Sequence, residues 1–372
     1  MPPRITFNDL RRQTAELLPE LEAAASRVLR SGWFVLGPEV RAFEDEWAAF
    51  SGAAHCLGVA SGTDALQLAL RAVGVGPGDE VITVPNAAGY TGFAVRLIGA
   101  RPVYADVDEQ SWTMDPASVE RALTERTRAV VPVHLYGAPA RMDELADLCR
   151  RRGVALVEDC AQAHGARAQD RPVGTWGDVG CFSFYPTKNL GALGDGGAVV
   201  TGDAATAERL RRLRQYGWAR KYHAEEPFGF NSRLDELQAA LLRVRLRDLH
   251  RGNRRRVELA CHYRDVLADL PGLDLPADLP GHVYHLFVVR VRDGRRDALQ
   301  RGLDARGIEA VVHYPVPDYL QSAFGDLNLE PGTAPLAEAL AGEVLSLPCY
   351  PELSFDEVRE VGNAVRDVLA GG

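Results

Sequence analysis

Lysine is rare in this chain. It occurs at Lys188 and Lys221, and the other 40 basic residues are Arg. Chemistry that needs a side-chain amine, as a nucleophile towards a carbonyl or as a neutral proton acceptor, therefore has two candidates. Lys188 stands in Gly180-Cys-Phe-Ser-Phe-Tyr-Pro-Thr-Lys-Asn-Leu-Gly191, and further glycines follow at 194, 196 and 197. A strand-like run ends at Tyr185 and Pro186 stops it. An amine among apolar and glycine residues at a strand end is partly desolvated, which lowers its pKa and makes it a better nucleophile. A surface Lys in a Gly-rich loop is the plainer reading. Against it, a chain that otherwise uses Arg has kept an amine here.

Three further stretches could supply a ligand site. Ala155-Leu-Val-Glu158-Asp159-Cys-Ala-Gln162-Ala-His164-Gly ends an apolar strand in two carboxylates. In open α/β sheets, ligands bind beyond the carboxyl ends of the strands, where a buried Asp159 could pair with a protonated ring nitrogen. A helix cap or a satisfied structural Asp explains it equally well. Ser61-Gly62-Thr63-Asp64 carries a strand into a helix and offers N–H groups, hydroxyls and a positive helix end to an anion. Plain capping also accounts for these residue types. In Phe230-Asn231-Ser232-Arg233, Asn231 or Ser232 reads as a helix N-cap and Arg233 could meet a carboxylate or phosphate. Lys221 sits in Trp218-Ala-Arg-Lys-Tyr-His223, a cationic, aromatic segment suited to a diphosphate, or simply a solvated loop.

The elements that must position these residues alternate. Strand patterns fall at 55–60, 80–84, 102–105, 129–133 and 154–157, with helical patterns at 63–73, 116–123 and 142–151 among them. Asp115 caps the 116–123 helix, with Pro116 at its first position. Strands at 180–184 and 197–201 follow, then helices at 204–215 and 234–249. This alternation predicts an α/β protein with a largely parallel sheet. From about residue 250 onward a smaller α/β unit is expected, with strands at 284–291 and 308–312 and helices at 295–306 and 355–369.

Composition narrows the classes. With 46% hydrophobic and 25% charged residues the chain is an ordinary globular protein. A net charge of −9 argues against a polyanion-binding surface, so no nucleic-acid partner is expected. No apolar run reaches the roughly 18 residues of a membrane span, and the N-terminus lacks a signal-peptide core. Six Cys form no C-x-x-C pair, so buried, reduced thiols in a cytoplasmic protein are expected. Nine His form no H-E-x-x-H, and no metal site is expected. A G-x-S-x-G elbow is absent, and the first strand–helix turn lacks G-x-G-x-x-G.

The four motifs stand in order with Val133-His-Leu-Tyr-Gly137, Val283-Tyr-His-Leu-Phe287, Val312-His-Tyr-Pro315 and Leu345-Ser-Leu-Pro348. Over nearly its whole length the chain resembles the pyridoxal-phosphate (PLP) nucleotide-sugar aminotransferases of the DegT/DnrJ type. The resemblance implies fold type I: a large PLP-binding domain with the N-terminal segment, 1–249, and a small C-terminal α/β domain, 250–372. It also implies a homodimer with active sites at the interface. Lys188 then matches the covalent anchor of PLP and the proton shuttle, and Asp159 the partner of the pyridine nitrogen. Gln162 matches a contact to the ring face or its phenolic oxygen. Ser61, Gly62, Thr63 and Ser183 match the phosphate cup. Asn231 matches a residue that reaches the phosphate across the dimer interface.

One stretch departs from the family pattern. The ring-stacking aromatic expected about three positions after Pro85 is replaced by Ala88, and the nearest aromatic is Tyr90. Both are placed near the cofactor. Trp33, Phe34, Tyr185, Lys221, Arg233, His313 and Tyr314 are the substrate candidates. The implied reaction moves an amino group from glutamate to a nucleotide-linked, dTDP-type keto-deoxysugar. A keto-inositol or other cyclic ketone would use the same catalytic residues. A PLP sugar dehydratase of this group has His at the anchor position, against which Lys188 argues. A catalytically silent PLP-binding sensor is the non-enzyme alternative.

Overall fold

The computed structural model describes residues 4–371. Its centre is a seven-stranded sheet built from β1 (His55–Val59), β2 (Glu80–Thr83), β3 (Arg101–Tyr104), β4 (Thr127–Val130), β5 (Ala155–Asp159), β6 (Val179–Ser183) and β7 (Gly197–Thr201). The strand order is β1-β7-β6-β5-β4-β2-β3. Pairings from β3 through β6 are parallel, and β7 runs antiparallel to both neighbours. Short, nearly continuous apolar runs fit strands covered on both faces. Alternation does the sorting: Cys56, Ile82, Leu156 and Phe182 enter one core, while Leu57, Val81, Val157 and Cys181 enter the other.

Helices supply both layers: α1 (Leu10–Ser31), α2 (Pro38–Ser51), α3 (Gly62–Ala72), α4 (Tyr90–Leu97), α5 (Pro116–Ala122), α6 (Met142–Arg152), α7 (Ala204–Leu213) and α8 (Glu236–Leu246). Asp115 caps α5 through the Ala117 and Ser118 N–H groups, with Pro116 in the first turn, as its sequence requires. Then come α9 (Leu249–Leu267), β8 (Leu273–Asp274), β9 (Phe287–Val291), α10 (Arg296–Asp304), α11 (Pro335–Glu343), β10 (Val344–Leu347) and α12 (Phe355–Ala370). Strands β8, β9 and β10 form a second, antiparallel sheet. A separate apolar cluster covers it, drawing on Ile5 and residues between Leu259 and Leu369. Tyr319, Phe324 and Leu340 return to the core of the large sheet.

Several expectations need correction. The stretch 308–312 is not a strand; Ile308 and Val311 make isolated bridges to different partners, Ile5 and Ser346, so no ladder can propagate. The helix expected at 234–249 starts later and is interrupted after Leu246, where α9 begins. Asn231 and Ser232 do not cap it. Asp235 precedes α8, Asn231 bridges Gln215, and the Ser232 hydroxyl donates to Asp64 at 2.7 Å. Glu236, the first residue of α8, turns its side chain to another helix. Its buried carboxylate accepts from the N–H groups of Gly37, Glu39 and Val40 at 2.7–2.9 Å, and so caps α2. Helix α4 follows a turn in which Ala88 and Gly89 both have positive φ, and local pattern did not announce it. Five Cys are buried, but Cys261 is exposed on α9.

Candidate active site

The carboxyl ends of β5 and β6 and the start of α3 surround a cavity of about 560 Å³. Lys188 reaches it from the loop after β6. This loop doubles back tightly: the Lys188 N–H donates to Tyr185 O at 2.9 Å, and a Cβ on Gly191 would lie 2.3 Å from Pro186 O. Asn189 locks the next position. Its amide donates to Asn253 at 2.9 Å, and its oxygen lies 3.1 Å from His285 Nδ1. Burial lowers the Lys188 pKa to about 8, opposed by the charge of Asp159. An amine with that pKa is partly neutral near neutrality, as a nucleophile and proton carrier needs.

Asp159 ends β5 and is 4% exposed. Its backbone is fixed on both sides, the N–H donating to Pro132 O and the carbonyl accepting from the His134 N–H. Oδ2 accepts from Thr91 Oγ1 at 2.8 Å and Oδ1 from the Ala161 N–H at 3.1 Å. Burial raises its pKa, opposed by these two hydrogen bonds and by Lys188 and His134. A desolvated carboxylate of this kind gains most from a cation placed against it. Gln162 is clamped: its oxygen accepts from the Tyr136 N–H at 2.6 Å, and its amide donates to the Tyr314 hydroxyl at 2.9 Å.

The anion cup lies at the N-terminus of α3. Ser61 caps the helix by accepting from the Asp64 N–H at 3.1 Å. Gly62 faces Ser183 so closely that a Cβ would stand 2.6 Å from that residue's own Cβ. His164 supports the opposite wall, with Nε2 2.8 Å from Ser183 O, and burial lowers its pKa to about 3, so it is a neutral donor there. Ser61, Thr63 and Ser183 thus bring three hydroxyls beside free helix N–H groups.

Of the residues expected from sequence, Ser61, Gly62, Thr63, Tyr90, Asp159, Gln162, Ser183, Tyr185, Lys188, His313 and Tyr314 line this cavity. Ala88 does not. The left-handed turn at 88–89 leaves Ala87 and Tyr90 on the cavity side. Nor do Trp33, Phe34, Lys221, Arg233 and Asn231 line it. Trp33 and Phe34 are 52% and 53% exposed. Lys221 stands over the Tyr222 ring in an exposed hairpin. Asn231 is exposed as well.

Sequence reasoning missed Thr91, Phe7, Asn8, Asp195 and His285. Thr91 meets Asp159 across 68 residues, and no local motif marks that pairing. His285 lay in a recognised motif but carried no assignment; it lines the cavity beside Lys188. Donor atoms of His134, Glu158 and Cys160 also cluster within 4.8 Å of one another. There Glu158 already accepts from the N–H groups of Gly174, Trp176 and Gly177 and lies 3.1 Å from His134 Nε2. His134 Nδ1 accepts from the Ala140 N–H, so Nε2 is the donor and the cluster is a closed scaffold under Asp159.

The residues present fit PLP. The cup suits a phosphate, the buried Asp159 suits a protonated ring nitrogen, and the depressed Lys188 suits the aldehyde. Fold and site together are those of a PLP-dependent aminotransferase. The model of the DegT/DnrJ/EryC1/StrS aminotransferase family matches residues 16–366, and the chain belongs to that family. It is 52% identical to the dTDP-3-amino-3,4,6-trideoxy-alpha-D-glucose transaminase of Streptomyces venezuelae, over 98% of this chain and 96% of the relative. The crystal structure of S. venezuelae DesV in complex with a ketimine intermediate superposes with a TM-score of 0.95 at 51% identity, covering 99% of each chain. NtdA of Bacillus subtilis, solved with bound cofactor PMP, gives 0.94 at 30% identity, covering all of this chain and 86% of that one. No helix among the described residues is long and apolar enough to cross a membrane.

Proposed function

We propose that this enzyme transfers the amino group of glutamate to a keto-deoxysugar carried on dTDP. The observation that carries the reading is Lys188 opposite Asp159 in one cavity, with the hydroxyl cup of Ser61, Thr63 and Ser183 beside them. Identity of 52% to a dTDP-amino-sugar transaminase supports the substrate class. When bound, PLP supplies an electron sink for the bond to the amine-bearing carbon. Asp159 keeps the ring nitrogen protonated by opposing its charge, and Thr91 and the Ala161 N–H hold the carboxylate still. Ser61, Gly62, Thr63 and Ser183 anchor the phosphate. Lys188 anchors the cofactor and then, as a free amine, takes a proton from the amine-bearing carbon of the donor and returns one to the acceptor. Gln162, fixed by Tyr136 and Tyr314, bounds the ring position, and Tyr90 covers part of the wall.

The working unit in this reading is a cytoplasmic homodimer, each chain divided into a PLP-binding part, 1–249, and a smaller part, 250–372. The second sheet with its own apolar cluster supports a smaller C-terminal part, while Tyr319, Phe324 and Leu340 tie that part to the large sheet. Exposed aromatic side chains, Trp33, Phe34, Tyr222 and Phe228 among them, support a second copy packed on the chain. Asn231, Lys221 and Arg233 then serve the partner's cavity rather than their own. The test is a half-reaction. Yellow protein reconstituted with PLP should bleach with glutamate, and a dTDP-linked keto-deoxysugar should restore the colour. Restoration by a keto-inositol and by no nucleotide-linked sugar would replace the substrate class.

A further inference from the structure

We propose that Asp318 is a positioning residue for the cofactor site. It pins the turn 85–92 and, through Thr91, sets the carboxylate of Asp159. The inference rests on the aminotransferase reading above.

Asp318 opens the short 3₁₀ turn Asp318–Leu320 and is 1% exposed. Its N–H donates to Pro85 O at 2.9 Å. A Cβ on Gly92 would stand 3.3 Å from Asp318 Oδ2 and 2.8 Å from the Tyr104 hydroxyl. A carboxyl and a phenol therefore press on the backbone of α4, and only a glycine at position 92 admits them. Asp318 Oδ1 and the Tyr104 hydroxyl are both buried and make no hydrogen bond of normal geometry, although the hydroxyl stands close enough to the carboxyl to act on its charge. The Gly89 N–H also faces the carboxyl. On the other side of the same segment, Thr91 holds Asp159 at 2.8 Å and Tyr90 walls the cavity. Asp318 thus grips the turn at Pro85, Gly89 and Gly92, and Thr91 carries that position to the cofactor-facing carboxylate.

The charge state of Asp318 then matters. Burial raises its pKa to about 8, and the Gly89 amide and Tyr104 hydroxyl oppose this only in part. The other titratable neighbours are remote or committed: Arg96 of α4 pairs with Asp326, and the Tyr319 hydroxyl donates to Glu338. Below pH 8 a neutral carboxyl sits in the packed site. Above it a buried charge is left with two weakly placed donors, and the turn must move to solvate it.

The experiment binds pyridoxamine phosphate to cofactor-free protein on either side of pH 8, for wild type and Asp318→Asn, read by fluorescence. This ligand makes no covalent bond to Lys188, and the titration of Lys188 itself is common to both proteins. The ratio of wild-type to variant affinity should fall above the Asp318 pKa, by up to about tenfold per pH unit, the limit for one titrating proton. A ratio that stays constant with pH overturns the inference. Tyr104→Phe removes one of the two donors and should move the break in affinity to higher pH; an unmoved break also overturns it. Failure of both proteins to bind below pH 8 would instead remove the cofactor reading, and the inference with it.

Discussion

The Thr91 hydroxyl donates to Asp159 Oδ2 at 2.8 Å, joining the first turn of α4 to the carboxyl end of β5. Asp159 is therefore held by a helix that follows an irregular, left-handed turn. Thr91→Val keeps the shape and deletes the hydrogen bond. A bond to a charged acceptor of this kind contributes about 1.5–3 kcal/mol. Cofactor binding should weaken at least about tenfold. Equilibrium dialysis at neutral pH checks this, and Thr91→Ser should recover most of the loss.

Lys188→Ala should abolish the yellow form and lower turnover by about 10²–10⁴-fold, the range for loss of a positioned proton carrier. Lys188→Arg should not rescue it, because a guanidinium stays protonated. Absorbance of the reconstituted protein and single-turnover amino transfer are the measurements. Lys221→Ala should leave the colour intact.

The two lysines also separate by reactivity. The Lys188 pKa falls from 10.5 to about 8 in the folded, cofactor-free protein. Its labelling by an amine-directed reagent should rise through pH 8 and level off above it. The unfolded chain holds that proton up to 10.5. Between 8 and 10.5 it binds more protons than the native state, so the Lys188 contribution to stability should rise with pH in that window. Mass spectrometry of labelled peptides checks the first statement. Urea denaturation of wild type against Lys188→Met checks the second.

Gly62→Ala tests the cup. The added methyl would meet Ser183 at 2.6 Å, well inside normal contact. Shifting β6 or α3 to admit it costs about 1–3 kcal/mol. Phosphate-dependent cofactor affinity should fall while far-UV circular dichroism stays the same.

Glu236→Ala should destabilise the fold without touching the cavity. Three buried N–H groups at the start of α2 lose their acceptor. A loss of about 2–4 kcal/mol is expected in urea denaturation.

Much of this enzyme was legible in its residues. Two lysines in 372 residues isolated the amine, and Pro186 and the glycines behind Lys188 marked the loop that presents it. Alternating apolar runs predicted the parallel sheet, because a strand buried on both faces has no choice of composition. Ser61 and Asp115 carried their own caps. These are local properties, set by side chains within a few residues of one another.

Tertiary structure decided the rest. The acceptor of Thr91, the grip of Asp318 on Pro85 and the capture of the α2 N-terminus by Glu236 join residues far apart in the chain. Such pairings leave no local spacing to read. The left-handed turn at Ala88 and Gly89 put Tyr90 on the cavity and Ala88 off it, which residue order alone could not choose. Trp33, Phe34, Lys221 and Asn231 have the right residue types for a ligand, but the fold holds them at the surface, outside this chain's own cavity. Residue type proposes a chemistry; only the packing of the chain brings its reacting groups to one place.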